Sequence, residues 1–127
     1  MRLPASLRAA LYASAALVAA SGVLWLPWRN AMWMQLHGTA TMFLLVVSGS
    51  AVALHAPGGW REGKNRLSGA LLSAALIVLA ATGALLYYAG DDSVRAMASV
   101  VHWVLGLGAI AMVAAHVVLG RRSARTG

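Results

Sequence analysis

Residues 96–120 read AMASVVHWVLGLGAIAMVAAHVVLG, and this stretch decides the fold. It runs for twenty-five residues without an Asp, Glu, Lys or Arg. About 20 apolar residues, each rising about 1.5 Å in a helix, cross the hydrocarbon core of a bilayer. Three more charge-free runs lie at 9–28, 30–60 and 67–90. Each is long enough to span. The expected fold is therefore all-α: an integral membrane, up-and-down four-helix bundle forming one domain over 1–127. The helices are expected over residues 6–27, 30–55, 65–89 and 93–119.

The rest of the chain agrees. Of its 127 residues, 61% are hydrophobic and 10% charged, whereas a soluble domain carries about 25% charged residues. Loops and tails are short, so no room remains for a soluble catalytic domain. The first run follows Arg2 and Arg8 and is rich in Ala, as a secretory leader is; it is read here as a retained spanning helix. Pro27 stops the first helix, and Pro57-Gly58-Gly59 is expected to break the second. The turn Gly90-Asp91-Asp92 ends the third, and Gly120 ends the fourth. Trp25, Trp28, Trp33, Trp60 and Trp103 fall towards helix ends, as an aromatic belt does at the two interfaces.

The net charge of +7 tracks topology and is no sign of nucleic-acid binding. Arg2, Arg8, Arg61, Lys64, Arg66, Arg121, Arg122 and Arg125 lie on one side of the four runs; Arg29 and Arg95 lie on the other. Basic residues collect on the cytoplasmic face. Both termini are therefore expected in the cytoplasm, with the chain in a bacterial inner membrane. The absence of Cys excludes disulfides, thiolate zinc sites, Cys-ligated iron–sulfur clusters and covalently attached haem.

Four histidines fall inside these runs: His37 and His55 in the second, His102 and His116 in the fourth. A polar side chain at membrane depth is costly and marks a functional site by default. A single such His often bridges helices by a hydrogen bond. Four of them, two on each of two alternate helices, point to metal ligands. Eighteen residues make five helical turns, so His37 and His55 share a face. Fourteen residues make nearly four turns, so His102 and His116 lie within about 40° of each other. The axial separations are about 27 Å and about 21 Å, and the difference is about one turn.

There is also a weak two-fold repeat. In each of these helices a His follows a basic residue (Arg29 to His37, Arg95 to His102) and a second His precedes one (His55 to Arg61, His116 to Arg121). Parallel second and fourth helices would place His37 level with His102 at the outer face, and His55 level with His116 at the inner face. Two centres stacked across the membrane would result, and haem is the cofactor most often held in that way. Mostly small residues line the His faces: Thr41, Ser48, Ala51 and Val52 on the second helix, with Gly49 nearby, and Gly106, Ala109 and Val113 on the fourth. Small residues let a flat macrocycle approach the backbone, although they also serve ordinary helix–helix packing. Thr41 and Ser48 are candidate acceptors for the second imidazole N–H. Zinc or copper carriage would call for carboxylates or clustered Met, but Glu62, Asp91 and Asp92 lie in loops and the six Met are dispersed.

Several stretches resemble small bacterial membrane proteins of the cytochrome b type, four-helix proteins whose physiology is largely unassigned. They are Arg66-Leu-Ser-Gly69, Ala81-Thr-Gly83-Ala-Leu-Leu-Tyr87-Tyr88, His102-Trp-Val-Leu-Gly106-Leu and His116-Val-Val-Leu-Gly-Arg-Arg122. The segment from His37-Gly-Thr-Ala-Thr-Met42 to His55, followed by Gly59-Trp-Arg61, is similar to that group as well. The resemblance covers residues 33–122. It implies two b-type haems, with His37, His55, His102 and His116 as axial ligands. The group spaces its two His pairs alike, and this chain departs from that on the second helix. The expected function is transmembrane electron transfer through two bis-His haems, as an electron carrier or oxidoreductase subunit. The expected partners are membrane lipid, a quinone or redox protein, and a larger complex or oligomer. A single-haem membrane sensor and a non-redox assembly subunit are the alternatives.

Overall fold

A computed structural model describes residues 3–63 and 66–123. Arg2, Lys64 and Arg125, counted above among the basic residues, lie outside the described residues. The described chain is helical, with no strand. Its elements are α1 (Ala5–Trp25), α2 (Ala31–Glu62), α3 (Arg66–Tyr88) and α4 (Asp92–Ser123). Each contains an apolar stretch able to cross a membrane, with mean hydropathy of 1.6 to 2.2 over eighteen residues. At about 1.5 Å per residue, α1 and α3 match a bilayer core of about 30 Å, whereas α2 and α4, each of 32 residues, exceed it.

The chain divides into two units, Met1–Glu62 and Gly63–Gly127. Each is a helical hairpin, α1 with α2 and α3 with α4. Small residues make each hairpin possible. The buried residues are Ser14, Ser21, Ala40, Val47 and Ala51 in the first, and Ala75, Thr82 and Ala98 in the second. Ser14 and Ser21 are seven residues apart, as are Ala75 and Thr82. That spacing keeps one stripe of a helix against its antiparallel neighbour. Small side chains on the stripe bring the two backbones close, which is how membrane helices gain dispersion energy without a hydrophobic drive. The buried Ser and Thr hydroxyls donate to carbonyls one turn back, Ser14 to Ala10 O at 2.7 Å and Thr82 to Val78 O at 2.8 Å. No polar side-chain atom buried among the described residues is left without a partner.

The turns are built locally. Asn30 caps α2, its Oδ1 accepting from the Trp33 amide at 3.2 Å. Asp91 caps α4, accepting from the amides of Ser93 at 2.8 Å and Val94 at 3.0 Å. The Ser93 hydroxyl and these amides hold the Asp91 carboxyl below the ordinary carboxylate range. Asp92 pairs with Arg95 on the first turn of α4. Arg29 lies over the Trp25 ring, 4.7 Å from its centroid, and Trp28 meets Trp33 at 6.4 Å.

Two helix ends differ from expectation. α2 does not stop before Pro57 but carries it inside the helix as far as Glu62. A proline removes one amide donor without imposing a stop, and membrane helices tolerate it. The stop comes at Gly63, whose φ of 72° supplies the left-handed residue that a helix end needs. Likewise α4 runs through Gly120 to Ser123, because glycine with ordinary φ weakens a helix without ending it. Trp103 also departs from the belt: it is a half-buried residue well inside α4, next to His102.

Candidate functional site

Three histidines each meet the preceding helix of their own hairpin through Nδ1. In the second hairpin, His102 Nδ1 lies 2.9 Å from Thr82 Oγ1. That hydroxyl is 2.8 Å from Val78 O and 3.2 Å from Leu79 O, so its single proton goes to its own helix. Oγ1 is left to accept, and His102 Nδ1 carries the proton. His116 Nδ1 likewise meets a hydroxyl of α3, lying 3.0 Å from Ser68 Oγ. Fourteen residues back on α3 and fourteen forward on α4 lead from one pair to the other, as an antiparallel register requires.

The first hairpin holds one such site. His37 Nδ1 lies 2.9 Å from Val18 O and 3.3 Å from Ser21 Oγ. A carbonyl only accepts, so His37 Nδ1 also carries the proton. Ser21 Oγ gives its own proton to Leu17 O at 2.7 Å and Val18 O at 3.1 Å. A neutral imidazole protonated at Nδ1 has its lone pair on Nε2. An Nδ1–H fixed by a hydroxyl or carbonyl is the support that metal-ligating histidines characteristically have.

A glycine follows each hydroxyl residue and faces the ring. A Cβ placed on Gly22 would stand 3.1 Å from His37 Cε1 and 3.2 Å from Nδ1. One on Gly83 would stand 3.5 Å from His102 Cε1, and one on Gly69 3.7 Å from His116 Cε1. The recurring unit is thus a Ser/Thr-Gly pair on the first helix of a hairpin and a His on the second. Of these three, only at Gly22 would a methyl group crowd the ring, which would have to give by a few tenths of an ångström. Gly22→Ala is therefore expected to push the His37 ring off Val18 O and to lower the thermal midpoint of helix unfolding. Gly49→Ala is the control, since a Cβ there meets nothing within 4 Å; it should leave the midpoint unchanged or raise it. Equal midpoints for the two variants would show that the ring is not seated against Gly22.

His55 has no such setting. It is exposed near the C-terminal end of α2 and makes no hydrogen bond among the described residues. The register explains why. Fourteen residues on from His37 is Ala51, which is buried, and fourteen back from Ser21 is Leu7, which is half-buried. Ala51 and Leu7 thus occupy the places that His116 and Ser68 hold in the second hairpin. His55 lies a turn beyond Ala51, level with Leu3, before α1 begins at Ala5.

The other candidate residues are placed as follows. Thr41 is half-buried and donates to the carbonyl of His37, on its own helix, at 2.7 Å. Ser48 is half-buried, and Gly49 faces open space. Gly106 faces α3, with an added Cβ 3.9 Å from Leu79 Cδ2, and Ala109 is half-buried on α4. The partners of the rings are instead Ser21, Ser68, Thr82 and the Val18 carbonyl, which the sequence reading missed. Ser/Thr-Gly dipeptides at 21–22, 68–69 and 82–83 were the available signal. No group of three or more His, Asp or Glu able to hold a metal ion occurs among the described residues. No family model, curated protein or solved structure matches this chain.

Proposed function

We propose that this chain is a transmembrane electron carrier of the bacterial inner membrane, holding two b-type haems between histidines of α2 and α4. The observation that carries the reading is the shared tautomer. His37 and His102 each hold their proton at Nδ1 on an acceptor from the neighbouring helix. That leaves Nε2 as the basic nitrogen suited to iron, and His116 Nδ1 lies within hydrogen-bond distance of Ser68 Oγ. In this reading the hairpins close into an up-and-down bundle, with His37 and His102 at the outer level and His55 and His116 at the inner one. Haem between two imidazoles takes up and releases one electron without an open position for substrate. The chain's own task is to fix the rings, to exclude water with apolar helices, and to meet the haem carboxylates with cations. Arg61, Arg66, Arg121 and Arg122, at the ends of α2, α3 and α4 that this reading puts inside, would serve that last task. A quinol or a soluble redox protein is the proposed partner.

The same hydrogen bonds support a second reading, in which the histidines only staple each hairpin. Such interhelical bonds in membranes contribute about 0.6 kcal/mol on average and up to about 1.7. Haem content separates the two readings. Purified protein that lacks a Soret band but unfolds more easily as His102→Ala would support stapling.

Topology offers an independent check. With both termini cytoplasmic, a reporter fused after Arg122 should read cytoplasmic and one inserted at Asp91 periplasmic. Reversed signals would exchange the outer and inner levels.

A further inference from the structure

Within the second hairpin, the start of α3 and the end of α4 border a groove of about 490 Å³. Leu67 and Leu71 of α3 and Leu119 of α4 form its walls, and all three are exposed. Gly63 and Arg66 line the end nearest the start of α3. Ser68 lines it too, with its hydroxyl 3.0 Å from His116 Nδ1. Helix length sets the depth. α3 has 23 residues, about the thickness of a bilayer core at about 1.5 Å per residue. When α3 spans, its first residue, Arg66, stands at headgroup level, and Leu67 and Leu71 begin the acyl layer. The Ser68–His116 pair sets the antiparallel register. It carries Arg121 and Arg122, five and six residues past His116, beyond the start of α3. Arg66, Arg121 and Arg122 therefore gather at one end of the hairpin, and the one acid near them in the sequence is Glu62. Orienting a membrane protein calls for basic residues near helix ends but for no groove between two helices. Basic pockets between membrane helices take anionic lipid headgroups.

We propose that this groove binds an anionic phospholipid. Arg66, with Arg121 and Arg122, meets the phosphodiester headgroup, and one acyl chain lies along Leu67, Leu71 and Leu119. The walls beyond the cation are apolar and open to the bilayer, which suits a lipid and not a free anion. A zwitterionic lipid fits the same walls, but its own cation opposes the arginines. The inference goes beyond the haem reading and does not rest on it. Arg66 is there one of four cations offered to haem carboxylates, whereas the groove lies within one hairpin and needs no haem.

The test is native mass spectrometry of the purified full chain in detergent micelles, with haem quantified in the same samples. The probes are dioleoyl phosphatidylglycerol, dioleoyl phosphatidylcholine and sodium phosphate. Phosphatidylglycerol should bind at least about fivefold more tightly than phosphatidylcholine, the weight of one cation near an anionic headgroup. Excess sodium phosphate should not displace it. Arg66→Gln should weaken phosphatidylglycerol about fivefold and leave phosphatidylcholine unchanged. Leu119→Trp keeps every charge, fills the groove from an exposed position, and should weaken both lipids. Arg8→Gln removes an exposed cation of the first hairpin and should change neither. Equal affinity for the two lipids would overturn the inference, as would unchanged binding in Leu119→Trp. Arg8→Gln weakening phosphatidylglycerol as much as Arg66→Gln would reduce the effect to diffuse charge and overturn it too. Displacement by sodium phosphate would assign a free-anion site in place of a lipid site. Haem lost from Arg66→Gln with lipid binding kept would leave Arg66 to the haem reading alone. A chain that purifies without haem yet binds phosphatidylglycerol in this pattern would overturn the haem reading and leave the lipid site standing.

Discussion

Replacing His37 or His102 by Ala is expected to remove the same spectral component, with total haem falling from about two per chain to about one. The expectation follows from depth. In the proposed up-and-down arrangement α2 and α4 would run in the same direction from the outer face, each with its first His near its start. Losing one axial imidazole leaves the iron five-coordinate in an apolar site, and the haem is then held by a single protein bond. The double variant His37→Ala/His102→Ala should cost little more haem than either single change, since both residues act on one site. Independent losses, which would bring the double variant to no haem, would abolish the outer pairing.

Thr82→Val is the second large effect. Valine has nearly the shape of threonine, so packing against α4 is preserved while the acceptor for His102 Nδ1–H is lost. Partners of this kind affect metal affinity by about 10- to 100-fold when removed. The outer haem should therefore be released at correspondingly lower competing apo-myoglobin concentrations. Its midpoint potential should rise, because an imidazole that no longer donates at Nδ1 is less basic and stabilises ferric iron less. Thr82→Ser should restore both values. Ser21→Ala should do much less, because Val18 O still accepts from His37 and cannot be removed by a side-chain change. An unshifted potential in Thr82→Val would reduce Thr82 to a packing residue.

Most of the fold was legible because a bilayer imposes a coarse rule. Charge-free length alone located all four helices, and the ends fell within a few residues wherever a turn or a capping residue fixed them, as at Asn30 and Asp91. The misplaced ends were those assigned to Pro57 and Gly120. A proline or a glycine marks a permissible stop, and only the left-handed residue at Gly63 enforces one. The candidate site was legible in its histidines and not in their supports. Thr41 and Ser48 were reasonable partners by helical spacing, yet a hydroxyl in a membrane helix bonds its own backbone first, as Thr41 does to His37 O. Ser21 and Thr82, which meet two of the rings, also bond their own helices. At Ser21 the following glycine also lets the His37 ring come close. That depends on the antiparallel register within a hairpin, which no single helix discloses. The one-turn excess in the spacing of His37 and His55 was visible from numbering alone. Its meaning emerged when Ala51 was found at the position that matches His116.

The central claim is that these anchored imidazoles hold iron. The most direct measurement is the pyridine haemochrome assay on the purified full chain, combined with acid-acetone extraction. The account predicts about two haems per chain, all of b type and all extracted, because the chain has no cysteine to attach them. Protein that is folded and helical but binds no haem, even when haem is supplied during expression, would contradict it.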